Sequence, residues 1–148
     1  MATSRSAADA AAGPPLEALL DALYAAFQTT QETIQPLLAE LDLSEALADV
    51  LWQLHEEEEL PRREIAERLK CDPSNVTFLV DRLEGRGLVE RIAVPGDRRV
   101  KAVRLSSSGR AARRRLVSTT RDGSAFASLN NAERSELLRL LRLCAGDS

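Results

Sequence analysis

Ser74, Asn75 and Thr77 place short hydroxyl and amide groups within four residues of one another, followed by Phe78 and Arg82. Two adjacent guanidinium groups, Arg98 and Arg99, come just after a Pro95-Gly96-Asp97 turn. Short donors and acceptors at the start of a helix suit base edges or phosphate oxygens, and the free N–H groups of a helix N-terminus add a further phosphate contact. Arginines beyond a hairpin tip suit a minor groove or the phosphates that flank it. Strand alternation sends neighbouring arginines to opposite faces, so one of the two inserts. Asp97 would be repelled by a polyanion, so its role is to hold the turn or to pair with an arginine. Arg62 and Arg63 offer further backbone contacts, as do Arg68 and Lys70.

The elements that must position these groups are legible from residue 60 to residue 105. Pro61 opens a short helix with Ile65, Ala66 and Leu69 inward. Asp72-Pro73 announces a second helix, an N-cap acceptor followed by a proline whose missing N–H costs nothing there. Val76, Leu79, Val80 and Leu83 recur at helical spacing and form its buried stripe. Ser74, Asn75, Thr77, Phe78, Asp81 and Arg82 occupy the opposite face. Phe78 either touches a thymine methyl group or folds into the core beside Leu79. Arg82 reads as a phosphate contact, or as an ion-pair partner of Asp81 or a neighbour, rather than as a base reader. Gly85 and Gly87 end the helix, Leu88 to Ile92 begin a strand, and Val100, Val103 and Leu105 lie on the returning strand.

Charge is distributed unevenly. Residues 60–115 hold 15 Arg or Lys against 7 Asp or Glu, whereas residues 1–59 hold one Arg and 12 acidic residues. The formal net charge of −3 therefore hides a basic middle in an acidic chain, and the local field governs binding to a polyanion. With three Phe, one Tyr and one Trp in 148 residues, the core must be built from Leu, Val and Ala, which favours helices. The absence of a long apolar run argues against a membrane span, and an N-terminus with Arg5 but no apolar segment argues against secretion. A cytoplasmic protein is expected, and Cys71 and Cys144 fit a reducing compartment.

Outside the central stretch the pattern is helical. Residues 1–13 are too poor in apolar side chains to pack and are expected to be disordered. A helix starting near Pro14-Pro15 carries Leu16, Leu19, Leu20, Leu23 and Phe27, and Pro36 predicts a kink or a local end. Ser44 caps a next helix with Leu47, Val50, Leu51 and Leu54, with Trp52 on its flank. His55 and Glu56 to Glu59 read as its solvated end, with divalent-metal binding as the sharper alternative. Ser106 to Ser108 cap a further helix whose first turns carry Arg110, Arg113, Arg114 and Arg115. Gly123 interrupts it, and Asn130 or Asn131 caps a last helix rich in leucine. About six helices and a small β-hairpin result, as one domain over residues 14–148. Residues 60–105 form the lobe that meets DNA, and residues 14–41 and 110–145 supply apolar helices that either pack back on their own chain or, the preferred reading because a twofold dimer fits an inverted repeat, are buried by a second copy. Cys71 reads as a small hydrophobe in the interhelical turn, with oxidative control as its alternative. No nucleophile has a histidine partner and no glycine loop cradles a phosphate, so nothing points to an enzyme or calls for a cofactor.

From Asp72 through Arg91, then Asp97-Arg98-Arg99, Val103-Arg104-Leu105-Ser106 and Gly109, the sequence resembles the MarR-type winged helix-turn-helix regulators. The weaker helical patterns on either side extend the resemblance over nearly the whole chain. It implies an intertwined homodimer whose two winged lobes read successive major grooves of a pseudopalindrome in double-stranded DNA, commonly to repress nearby genes. It also implies release from DNA by a small hydrophobic or phenolic effector bound between the dimerisation helices and the lobe. Tyr24, Phe27, Gln31, Trp52 and His55 are the candidates to line that site, against ordinary packing for the three aromatics. The family commonly has arginine where Phe78 stands and a hydroxyl residue where Pro61 stands. Its peroxide-sensing branch uses a cysteine near the N-terminal helix, where this chain has none. The competing reading is a non-enzymatic protein-interaction module that retains the winged-helix fold with little DNA affinity.

Overall fold

The computed structural model describes residues 13–146, so all but Gly13 of the segment expected to be disordered lies outside it. Six helices and three short strands follow in the order α1 (Leu16–Glu40), α2 (Glu45–Gln53), β1 (Leu60–Pro61), α3 (Arg62–Leu69), α4 (Pro73–Gly85), β2 (Val89–Val94), β3 (Asp97–Leu105), α5 (Ser107–Gly123) and α6 (Asn131–Ala145). They divide into two compact units, one of residues 33–123 and one that holds the described residues before 33 and after 123.

The 33–123 unit holds every buried hydrophobic side chain among the described residues. Its centre is aliphatic, as the scarcity of aromatics requires: Val50, Leu51, Leu54, Ile65, Val76, Val80, Leu83, Val103 and Leu105 are all at most 1% exposed. The expected hairpin is part of a three-stranded antiparallel sheet ordered β1-β3-β2. Leu60 and Arg91 both pair with Val103, from opposite sides, and Val89 pairs with Leu105. Pro61 therefore ends a strand and precedes α3, rather than starting the helix. Two residues were too short a run to show as a strand in the sequence. A register shift between Ala93 and Val94 precedes the turn, where Gly96 takes the left-handed conformation at φ 91°.

Local chemistry explains most element ends. The Ser44 hydroxyl accepts from the Leu47 N–H at 3.3 Å and starts α2. Lys70, at φ 52°, closes α3, and the next N–H, of Cys71, donates to the Ala66 carbonyl at 3.0 Å. Asp72 has the extended backbone of an N-cap, but its carboxylate accepts no bond from α4, so the expected side-chain cap is not made. Instead its carbonyl accepts from Asn75 and Val76. Gly87, at φ 70°, follows α4, and the Leu88 N–H returns to the Leu83 carbonyl at 2.9 Å.

Two expectations are corrected. Of the kink or local end expected at Pro36, the end is not made, because α1 continues to Glu40. Leu37 and Leu38, directly after it, are buried at 6% and 2% exposure. Burying two leucines is worth about 1.5–3 kcal/mol each, enough to offset the roughly 3 kcal/mol cost of an internal proline. Likewise, α2 stops at Gln53, so His55 and the four glutamates lie beyond the helix in a turn. Three of these glutamates are ion-paired: Glu56 with Arg114 at 3.3 Å, Glu58 with Arg68 at 2.7 Å and Glu59 with Arg104 at 3.6 Å. Arg68 also donates to the Gln53 carbonyl at 3.1 Å, so one guanidinium joins α3 to the end of α2.

The other unit contains the first part of α1 and α6. Asn130 and Glu133 form a reciprocal capping box at the start of α6. None of the described residues in this unit is buried; Leu16, Leu20 and Phe27 are 55–68% exposed, and Leu138, Leu140, Leu141 and Leu143 are 42–69% exposed.

Two measurements test the lobe's construction. A Cβ at Gly109 would lie 1.8 Å from the Leu88 carbonyl oxygen, which also accepts the Ser106 N–H. Gly109→Ala must push the start of α5 away from the turn between α4 and β2 and should cost at least about 2 kcal/mol in denaturant unfolding, as overpacking does. Glu58 has its carboxyl pKa held below its ordinary 4.5, chiefly by the hydrogen bond from Arg68. A lowered folded-state pKa means stability that is fully present above about 4.5 and is lost as pH falls through the lower value. Wild type should therefore lose more stability than Glu58→Gln on acidification below that point, measured by urea unfolding at a series of pH values.

Candidate nucleic-acid interface

Burying Val76, Leu79, Val80 and Leu83 leaves the rest of α4 to solvent. Ser74, Asn75, Asp81 and Arg82 are exposed, and Phe78 is 58% exposed. Of the two readings of Phe78, the core position is thus excluded. Thr77 is half-buried, and its hydroxyl donates to the Pro73 carbonyl at 3.0 Å. The same hydroxyl accepts from Arg62 at 2.7 Å, which fixes a guanidinium of α3 beside the first turn of α4. Arg63 extends outward and pairs with Glu67 at 3.1 Å, with both side chains mostly exposed.

A groove runs between these helix ends and the returning strand, lined by Pro61, Arg62, Arg63, Pro73, Ser74, Thr77, Arg99, Val100 and Lys101. It brings together, from α3, α4 and β3, five of the residues singled out from the sequence. Lys101 was not among them. The signal was available, because two residues along a strand return to the same face and Lys101 follows Arg99 at that interval. Asp97 accepts the Arg99 N–H on its carboxylate at 2.9 Å, so it holds the tip through the backbone. Arg98 has its backbone in β3, and its side chain lies outside the described structure.

The arginines of this unit fall into two groups. Arg63, Arg68, Arg86, Arg91, Arg104, Arg114, Arg115 and Arg121 are paired with carboxylates. Arg91 reaches from β2 to both Asp81 and Glu84 on α4, with its pKa raised first by the hydrogen bond to Asp81. That bridge ties the wing to the helix and offsets one of the two negative charges that Asp81 and Glu84 would otherwise turn toward phosphate. Arg82 therefore does not pair with Asp81; its guanidinium lies over the Phe78 ring, 5.2 Å from the centroid. Among the described residues Arg82, Arg99 and Lys101 make no ion pair, and Arg62 only its bond to Thr77. Arg62, Arg99 and Lys101 line the groove and Arg82 stands on the outer face of α4, whereas Arg110 and Arg113, also without a carboxylate partner, bond to the Leu105 and Trp52 carbonyls.

The effector candidates are spread over both units. Tyr24 and Phe27, on the first part of α1, are 64% and 55% exposed, and Gln31 is half-buried. Trp52 on α2 is 41% exposed, and just past the helix His55 Nδ1 lies 3.1 Å from the Arg113 guanidinium. Arg113 also donates to the Trp52 carbonyl at 3.4 Å, so the end of α2 is held against α5.

Residues 43–101, the span that includes α2, α3, α4, β2 and the first part of β3, match the MarR family. The chain is 36% identical over 87 residues to the transcriptional repressor MdtR of Bacillus subtilis, a match covering 59% of this chain and 56% of that protein. Against the transcriptional repressor IacR of Pseudomonas putida the identity is 31% over 114 residues, 76% of this chain and 68% of the relative. Among solved structures, CouR from Rhodococcus jostii RHA1 bound to p-coumaroyl-CoA superposes with a TM-score of 0.72 at 26% identity, covering 85% of this chain and 90% of CouR. CouR bound to a 23-mer DNA duplex gives a TM-score of 0.68 at 29% identity, covering 86% and 89%. With its winged helix-turn-helix lobe, its cationic groove and these relatives, the chain belongs to the MarR family.

Proposed function

We propose that this protein is a sequence-specific DNA-binding regulator that represses nearby genes as a homodimer. The observation that carries this reading is the groove in which Arg62, Arg63, Arg99 and Lys101 converge beside the exposed face of α4. A helix fills a major groove, and cations on either side of it meet the flanking phosphates. Arg98 and Arg99 at the wing are then the groups for the minor groove and its rim. The 23-mer complex of CouR supports the same use of the fold.

The apolar faces of the other unit support the homodimer. Leucines of α1 and α6 are exposed in numbers that a lone chain has no reason to leave in water. A second copy would bury the same faces, and a twofold dimer would read an inverted repeat. Effector control fits two relatives, CouR with p-coumaroyl-CoA and Bordetella bronchiseptica BpsR, whose DNA binding is regulated by 6-hydroxynicotinic acid. A small hydrophobic or phenolic ligand would act here by favouring a dimer that does not fit DNA. A tenfold change in DNA affinity needs about 1.4 kcal/mol of such coupling. Tyr24, Phe27, Gln31, Trp52 and His55 are the side chains through which such a ligand would act.

Selection from genomic fragments with purified protein, followed by titration of the recovered duplex against salt, tests the proposal directly. An inverted repeat bound by one dimer with a steep salt dependence is expected; weak, sequence-blind binding would refute it. Exchanging Arg98 or Arg99 for Ala should weaken binding on every sequence and reduce the log–log salt slope by about 0.9 for each phosphate no longer neutralised. Leu20→Asp or Leu141→Asp should shift the sedimentation mass from dimer towards monomer and lower operator affinity with it. An unchanged dimer would remove these faces from the interface.

A further inference from the structure

Phe78 is the one large apolar side chain of α4 that the core does not take. It sits midway along the outer stripe of Asn75, Phe78 and Arg82, which spans about 10 Å of helix axis, close to three base-pair steps. Arg82 has neither a carboxylate nor a place in the core. The nearest acid in sequence, Asp81, is taken by Arg91 from the wing, and Arg82 rests on the Phe78 ring at 5.2 Å. The pair thus presents two surfaces side by side. One is an aromatic edge that offers no strong hydrogen bond; the other is a planar fork of donors held by stacking.

We infer that Phe78 and Arg82 form one base-reading unit, in which Phe78 closes on the 5-methyl group of a thymine and holds the Arg82 guanidinium against a guanine within about two base-pair steps. This rests on the DNA-binding reading and adds what the helix reads. Among the four bases only thymine presents a methyl group in the major groove, while adenine, cytosine and guanine present polar atoms that a phenyl ring would leave unpaired. Guanine O6 and N7 form the pair of acceptors that an arginine fork matches. Stacking lowers the freedom Arg82 must lose on contact, so Phe78 acts on the guanine through Arg82 as well as on the thymine directly.

The test uses the full chain and the duplex recovered by selection, with each thymine in turn replaced by deoxyuridine and each guanine by 7-deazaguanine. At one or more thymines, uracil should weaken wild type about three- to fivefold, the worth of one buried methyl group, and should not weaken Phe78→Ala. At a nearby guanine, loss of N7 should weaken wild type about tenfold or more, have no effect on Arg82→Ala and have a reduced effect on Phe78→Ala. Phe78→Leu should keep the uracil penalty and lose part of the guanine penalty, because it retains an apolar contact without a ring to stack on. Wild type indifferent to uracil at every position, or Phe78→Ala paying the same penalty, would overturn the inference. So would an Arg82→Ala loss that is equal on all duplexes and accompanied by a shallower salt slope, the mark of a phosphate contact. Failure to recover any selective duplex would instead refute DNA recognition itself, so the two readings fail separately.

Discussion

Everything the lobe presents depends on the seating of α4 by Val76, Leu79, Val80 and Leu83. A 13-residue helix is marginal alone in water, and stacking its apolar stripe on a core is what makes it persist. Each of these side chains is at most 6% exposed, so each contributes roughly 1.5–3 kcal/mol by burial. Because the same four residues also set the helix's rotation, they decide that Phe78 and Arg82 face outward and that Thr77 lies at the boundary, where it meets Arg62. The core beneath is aliphatic throughout, with contributions from α2, α3, β3 and α5.

On that base, charge is sorted by position. Arg68, Arg86, Arg91 and Arg104 act within the unit: they tie α3 to α2, the end of α4 to the α1–α2 turn, and β2 and β3 to their neighbours. Many of these pairs are too exposed for large individual contributions to stability. Their geometric effect is larger, since Arg91 and Arg86 are held against Asp81, Glu84 and Asp42 while the groove keeps Arg62, Arg99 and Lys101. The surface field near the groove is therefore more positive than a count of charges over the chain would suggest.

Much of the fold was legible along the chain. The stripe of α4, the glycines after it, the turn at Pro95-Gly96-Asp97 and the caps at Ser44 and Asn130 are each encoded within a few residues. So was the MarR resemblance, whose pattern lies mostly within the helix-turn-helix and wing. Less legible were features that depend on partners far away in sequence. Strand β1 exists only because β3 offers Val103 and Ala102 as antiparallel partners to Leu60 and Pro61. The glutamates after His55 read as a solvated helix end because their arginine partners lie between 10 and 58 residues away.

The sequence by itself determined which segments are helical, which faces are apolar, where the turns fall and that the middle of the chain is basic, because periodicity, capping and composition act over a turn or two. Tertiary structure decided which cations remain unpaired. Arg82 is adjacent to Asp81 in sequence, but neighbouring residues on a helix point about 100° apart. Arg91, brought across by the wing, reaches that carboxylate and leaves Arg82 to the Phe78 ring. Competition among side chains for a limited set of carboxylates is settled by three-dimensional reach, which local patterning does not encode.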